Sequence, residues 1–422
     1  MKKTSMRLVA ALGALALVAA ACGSGVDFEE GALGSVTVES GEDIQIRSLQ
    51  ALSAGVEFLG VPNQRGVELA IIDFGAIEGH SVTIGTGLDD ICSAEGGSQA
   101  AQTIVSDEDV VGVIGTSCSG AAQAAMPLIS DAGLVMISSS NTSSVLTSDL
   151  TGVAGSDYHE GYYRTAHNDA FQGAAAATFV LENLGLTRVA LIHDGDPYTN
   201  GLTKAFEKNF TEMGGTITVH TAVAPDDVDM GPVLAEVAAS EPELLFFPIF
   251  PPAGIPLLQQ AAGVDGMENV VMMGADGLSV EDFMALPESE GMYFSGPNTQ
   301  FGPENKNEAT GKTGEEFLAA YDAAYGEAPS ADFWAHSYDA TTMLLTAIAE
   351  VGVVDGDKLH IDRLALREAL NATAGFGGII GSITCDEFGD CGVPIIAVFQ
   401  HNNLDDILAS KANILYTYDP TG

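Results

Sequence analysis

From Ile44 onward the chain alternates strand-like and helix-like segments almost without interruption, and this pattern narrows its possible folds more than any other feature. Ile44-Gln45-Ile46 alternates as a strand, and Val67, Ala70, Ile71 and Phe74 recur at the i, i+3, i+4, i+7 spacing of one helix face. Residues 82–84 read as a strand, Ala101, Ile104 and Val105 as the next helix, 110–114 as a buried strand, 121–129 as a helix and 134–137 as a strand. After a polar crossing at Tyr163-Arg164-Thr165 the pattern restarts. Helix 169–184, strand 188–193, a helix with Leu202, Phe206, Phe210 and Met213 on one side, strand 217–223, helix 231–239, strand 244–250, helix 253–262 and strand 270–273 follow in turn. Two successive series of this kind predict an α/β chain with two doubly wound, Rossmann-like parallel sheets. Ligands in such sheets sit beyond the carboxyl ends of the strands.

A late helical block at 312–325, 332–351 and 361–372 breaks the alternation before a β-rich tail. The break is expected if the chain returns to the first lobe and finishes in the second. The resulting division assigns 43–165 and 298–380 to lobe 1, and 166–297 and 381–422 to lobe 2. Some 400 residues suit two lobes better than one core, and a hydrophobic content of 46% suits well-filled ones.

The first residues read as an export signal. Lys2, Lys3 and Arg7 precede an apolar run from Leu8 to Ala21 that ends in Ala19-Ala20-Ala21-Cys22. The run is shorter than the ~20 residues a membrane-spanning helix needs. Small residues before a cysteine resemble the bacterial lipoprotein signal, in which that cysteine is lipidated, although Ala19 stands where Leu is usual. Residues 1–21 are therefore expected to be a signal peptide, Cys22 a lipidation site, and 22–42 a flexible tether holding the protein outside the cytoplasm on the cell membrane. Four cysteines remain, and an even number in an exported chain reads as two disulfides. Cys385 and Cys391 flank a turn-like segment and pair naturally, which leaves Cys92 with Cys118.

Fifteen Lys and Arg stand against 58 Asp and Glu, a formal net charge of −43. A surface of that sign repels nucleic acid and anionic lipid headgroups. The carboxylates are scattered rather than clustered, as in a solubility adaptation to a salty medium that screens self-repulsion.

Several segments together resemble the branched-chain amino acid-binding family of type I periplasmic binding proteins. They are Asp89-Asp90-Ile91-Cys92, Ile114-Gly115-Thr116-Ser117-Cys118-Ser119, Val135-Met136-Ile137-Ser138, Tyr163-Arg164-Thr165-Ala166, Ile192-His193-Asp194 with Tyr198 and Gly201, and Gly274-Ala275-Asp276-Gly277. They occur in family order and spacing from about residue 43 to the end. The resemblance implies two lobes joined by a hinge, with a ligand cleft between them. It also implies the solute-binding lipoprotein of an ABC importer, which delivers a small amino acid to a membrane permease and needs no cofactor or metal. A monomer is expected.

Site residues follow from the same positions. Ser119 follows a buried strand and opens a helix, where a hydroxyl and free helix-terminal N–H groups favour a carboxylate; the matching family position holds the ligand carboxylate. Thr142 is the expected second donor, with Ser140 and Asn141 supplying backbone groups, although Asn141 replaces a small residue. Asp276, where the family commonly has an acid, is expected to pair with the ligand ammonium. Tyr198 is expected as a lid, Phe250 stands where the family often has Tyr, and Phe58 or Leu59 reads equally as pocket wall or core.

Enzyme signatures fail. Gly115-Thr116-Ser117-Cys118-Ser119 lacks the last glycine of a hydrolase elbow, Lys306 stands where a phosphate loop before Gly311-Lys312-Thr313 needs glycine, and the eight histidines show no metal-ligand spacing. The alternatives are a binding protein for another small acid, amide or urea, and a ligand-sensing protein.

Overall fold

The computed structural model describes residues 28–420. The signal-like segment and Cys22 lie outside the described residues. Among those described, no helix is long and apolar enough to cross a membrane.

Two parallel-type sheets organise two Rossmann-like lobes. The first places Val82–Thr83, Ile44–Gln50, Val110–Gly115, Val135–Ser138 and Tyr162–Arg164 side by side, all parallel, with Leu88–Asp89 also paired to Ile44–Gln50. Val110–Gly115 is buried along its whole length, as its apolar sequence requires of a central strand covered on both faces. The second sheet runs Thr216–Ala222, Arg188–His193, Leu244–Phe246, Val271–Ala275 and Tyr293–Pro297 in parallel, then Ile396–Gln400 and Ile414–Tyr418 antiparallel. In both sheets the first strand of the series lies between the second and the third. Each sheet therefore has a switch point where a crevice opens at the strand ends.

Trp334–Val351, from the late helical block, packs on Glu57–Phe74 and on the first sheet. The tail strand Ile396–Gln400 joins the second sheet beside Tyr293–Pro297. Arg164, in the last strand of the first sheet, is fully buried at the crossing between lobes.

Two local expectations need correction. The tether expected over 22–42 contains a strand, Ser35–Val38, paired antiparallel with Lys358–Asp362, which also pairs with Val353–Asp355. Val36 and Val38 are buried there, an alternation hidden by the surrounding Gly, Ser and Glu. The strand expected over 244–250 stops at Phe246. Pro248 has no N–H to donate to a ladder, and the chain turns so that Phe250 caps the helix Pro251–Ala261.

Candidate functional site

The crevices of the two sheets face each other across a narrow cavity of about 20 Å³, roughly the room one water molecule needs. Its wall is formed by Leu59, Ser117, Cys118, Ser119 and Ser140 on one side, and by Tyr198, Phe250, Asp276 and Gly277 on the other. Ala331 and Phe333, just before Trp334–Val351, complete it.

On the first lobe, the chain leaves Val110–Gly115 and opens the helix Ser119–Asp131 after three residues. Cys118 is disulfide-bonded to Cys92, which ties this turn to the loop before the helix Ala94–Val105. Asp90 accepts N–H groups from Ser117 (2.9 Å) and Cys92 (2.7 Å), while burial pushes its carboxyl up to about 7. Ser119 Oγ accepts the Ser143 N–H at 3.4 Å, and a hydroxyl that accepts one bond still has its own proton to donate. Ser140 Oγ donates to Ser117 O (3.0 Å) and accepts from Asn63 Nδ2 (3.1 Å).

Asn141 and Thr142 are placed differently. Asn141 is buried behind the wall: its Oδ1 accepts from Thr116 Oγ1 and Tyr162 OH, its Nδ2 donates to Thr116 O, its N–H goes to Ser138 Oγ, and its carbonyl accepts from Arg164. These bonds engage both its backbone groups in the framework. Thr142 is buried beside Asp169, whose N–H its carbonyl accepts at 2.8 Å, and lies outside the cavity wall. Neither position was separable from Ser140 by sequence, because all three follow one strand within four residues.

On the second lobe, Asp196 caps Pro197–Glu212 by accepting the Tyr198 N–H at 2.8 Å, and this turn aims the Tyr198 ring at the cavity. Tyr198 and Phe250 pack with ring centroids 5.5 Å apart. Asp276 begins a short turn after Val271–Ala275, and its Oδ1 accepts from Gln172 Nε2 (2.6 Å) and Tyr198 OH (3.2 Å). Burial pushes this carboxyl up to about 7 against those hydrogen bonds, and the charge of Asp332 adds to the shift. Leu59 lines the cavity, whereas Phe58 packs beside it against the second-lobe core. Ser117, Cys118 and Gly277 adjoin expected residues. Ala331 and Phe333 carry no local signal, since only the chain's return between lobes brings them here.

The lobes also touch directly. Asp196 Oδ2 accepts the N–H of Gly120 at 3.2 Å, and Ser143 Oγ donates to Pro197 O at 3.0 Å. The helix-start N–H expected for a ligand is thus already paired with a carboxylate, which a helix N-terminus favours. Cys385 and Cys391 are disulfide-bonded, and Asp390 beside them pairs with Arg164 at 2.8 Å.

Residues 43–397 match the sequence model of a family described as periplasmic binding protein. The Leu/Ile/Val-binding protein BraC3 of Rhizobium johnstonii is 27% identical over 354 residues, covering 82% of this chain and 89% of that protein. The leucine-binding protein LivK of Thermotoga maritima superposes with a TM-score of 0.73 at 24% identity, over 89% of this chain and 99% of the other. The branched-chain amino acid transporter substrate-binding protein LivJ of Streptococcus pneumoniae, solved with isoleucine, gives a TM-score of 0.71 at 21% identity, with coverage of 89% and 99%.

Proposed function

Because the chain belongs to the periplasmic binding protein family, we propose that it is the solute-binding lipoprotein of an ABC importer and takes a small apolar amino acid, branched-chain or similar, between its lobes. An extracytoplasmic solute-binding role, without turnover of the solute, is the family's. The ligand, the anchor at Cys22 and the permease partner belong to the proposal. The names of its relatives, Leu/Ile/Val-binding proteins among them, support the amino-acid class.

The observation that carries the reading is Asp276 on the wall opposite Ser119. Asp276 is buried among neutral donors. A ligand ammonium would offset the cost of ionising it, since a desolvated charge is tolerable only with a partner. Ser119, with a proton to give, suits the ligand carboxylate. Leu59, Phe250, Phe333 and the Tyr198 ring form an apolar surround for a hydrocarbon side chain. A ligand spanning both walls stabilises the arrangement in which the walls meet.

The test is a thermal-shift panel of amino acids and small acids, followed by calorimetry on the best ligand, because a ligand that binds only the native state raises its melting temperature. Branched-chain amino acids should give the largest shifts, and Asp276→Ala should lose two or more decades of affinity, about 3 kcal/mol or more. Ser119→Ala should cost roughly 1–3 kcal/mol. If Asp276→Ala binds as tightly as the parent, the ligand has no ammonium, and an acid, amide or urea is the better assignment.

A further inference from the structure

Asp276 does not stand alone behind the cavity wall. Gln172, in the first turns of Asp169–Thr178, is fully buried. Its Nε2 donates to Asp276 Oδ1 at 2.6 Å, and to Ser295 O and Oγ at 3.0 and 3.2 Å. The Ser295 carbonyl accepts hydrogen bonds only, so the amide nitrogen must face it and the amide oxygen must face the other way. That oxygen meets His167 Nε2 at 2.6 Å. His167 must therefore carry its proton on Nε2. Burial pushes the ring down to about 4, which leaves it neutral in ordinary buffers.

His167 lies between the crossing strand Tyr162–Arg164 and the start of Asp169–Thr178. Phe333, on the cavity wall, stacks over its ring at 6.0 Å and 22°. A three-residue chain of fixed polarity thus runs from the interlobe crossing to the carboxylate in the cavity. Neither His167 nor Gln172 lines the cavity itself.

We propose that His167 and Gln172 are a positioning pair that aims the Asp276 carboxylate at the ligand ammonium, an inference that rests on the amino-acid reading above. The pair acts on the ammonium end alone. It therefore discriminates a ligand with an amino group from the same skeleton without one.

The probes are L-leucine and 2-hydroxy-4-methylpentanoate, which replaces the amino group by a hydroxyl. Gln172→Met keeps the volume and removes the donor. It should weaken L-leucine about tenfold or more, as loss of a hydrogen bond to a charged group does, and change the hydroxy acid about twofold or less. His167→Gln, whose amide nitrogen reaches about as far as Nε2, should retain L-leucine binding, whereas His167→Leu should weaken it. In the Asp276→Ala background, Gln172→Met should have no further effect on L-leucine, a result that general loosening of the fold would not give. Gln172→Met at parental affinity beside a weakened Asp276→Ala overturns the pair and leaves the amino-acid reading standing. Equal loss for both probes also overturns the pair, because it marks a packing role. Parental L-leucine binding by Asp276→Ala overturns the amino-acid reading, and the pair falls with it.

Discussion

Arg164 and Asp390, 226 residues apart in sequence, meet in a two-pronged ion pair: Nε donates to Oδ1 and Nη2 to Oδ2, each at 2.8 Å. The remaining Arg164 donors reach Ser143 O, Asn141 O and Thr147 Oγ1. One buried side chain thus joins the crossing strand, the turn behind the cavity and the disulfide-closed loop of the tail. Burial alone would raise the Asp390 carboxyl, but the Arg164 charge and the hydrogen bonds from Arg164, Asn168 and Thr147 hold it below the usual range.

Asp390→Ala leaves Arg164 buried without a counter-charge and should cost about 3–5 kcal/mol of stability, measured by urea unfolding at neutral pH. The pH dependence follows from the direction of the shift. A carboxyl held low in the folded state contributes stability above its unfolded value of about 3.9 and loses it as pH falls toward the lower folded value. The parent should therefore show an acid limb below about pH 4 that Asp390→Ala shows less steeply. Equal acid limbs in the two proteins would contradict this assignment.

Ligand affinity should also depend on pH, through Asp276. Its carboxyl, raised to about 7, holds a proton in the empty site over much of the range between its unfolded value and 7. An ammonium partner favours the ionised form, so binding below about pH 7 must release that proton. L-Leucine affinity should rise from pH 5 to 7 and level off above. Calorimetry in buffers of different ionisation enthalpy would read the proton released. Affinity flat across this range, with no proton release, would argue against Asp276 as the ammonium partner.

Much of this was legible in the sequence, for identifiable reasons. The order of buried strands and amphipathic helices follows from periodicity, and Ser119, Tyr198 and Asp276 each stand where a strand of such a sheet ends. The cysteine pairing followed from an even count and one short loop. Other features depended on tertiary placement. Ser35–Val38 is a strand because Lys358–Asp362 lies beside it. Asn141 serves the framework because Tyr162 and Arg164 reach it from the neighbouring strand. Phe333 and Ala331 reach the cavity only through the late crossing, and Gln172 shows its role only once Asp276 is across from it.

Reduction should act on affinity as well as stability. Cys92–Cys118 fixes the turn that carries Ser119, and Cys385–Cys391 closes the loop that carries Asp390. A native disulfide stabilises by very roughly 2–4 kcal/mol, so the melting temperature should fall on reduction. Cys92→Ser/Cys118→Ser should weaken ligand binding, and Cys385→Ser/Cys391→Ser should lower stability with little change in affinity. Calorimetry and thermal melts on the two double variants separate the effects.

Salt should stabilise the fold. With 58 acidic against 15 basic residues, self-repulsion acts over a Debye length of ~30 Å at 0.01 M salt and ~3 Å at 1 M. The melting temperature should climb as sodium chloride rises over that range. A constant value would mean that the charges are spaced too widely to matter.

The contact between Gly120 and Asp196 offers a way to separate lobe closure from folding. Gly120 lies at the start of a first-lobe helix, and its N–H donates to Asp196 Oδ2 on the second lobe at 3.2 Å. A Cβ on Gly120 would lie 2.5 Å from that oxygen, closer than real contacts allow. Separated lobes would relieve the clash, and alanine is the better helix former, by at most about 1 kcal/mol and less in a first turn. Gly120→Ala should therefore leave stability without ligand unchanged or slightly higher, while weakening ligand affinity by disfavouring the closed arrangement, chiefly through faster dissociation. Asp196→Ala removes the same contact without a clash but also removes the cap of Pro197–Glu212, so it should lower stability by about 1 kcal/mol as well. Stopped-flow dissociation and urea unfolding on the two variants read both effects. If Gly120→Ala releases ligand at the parental rate, the contact does not form part of the ligand-bound state.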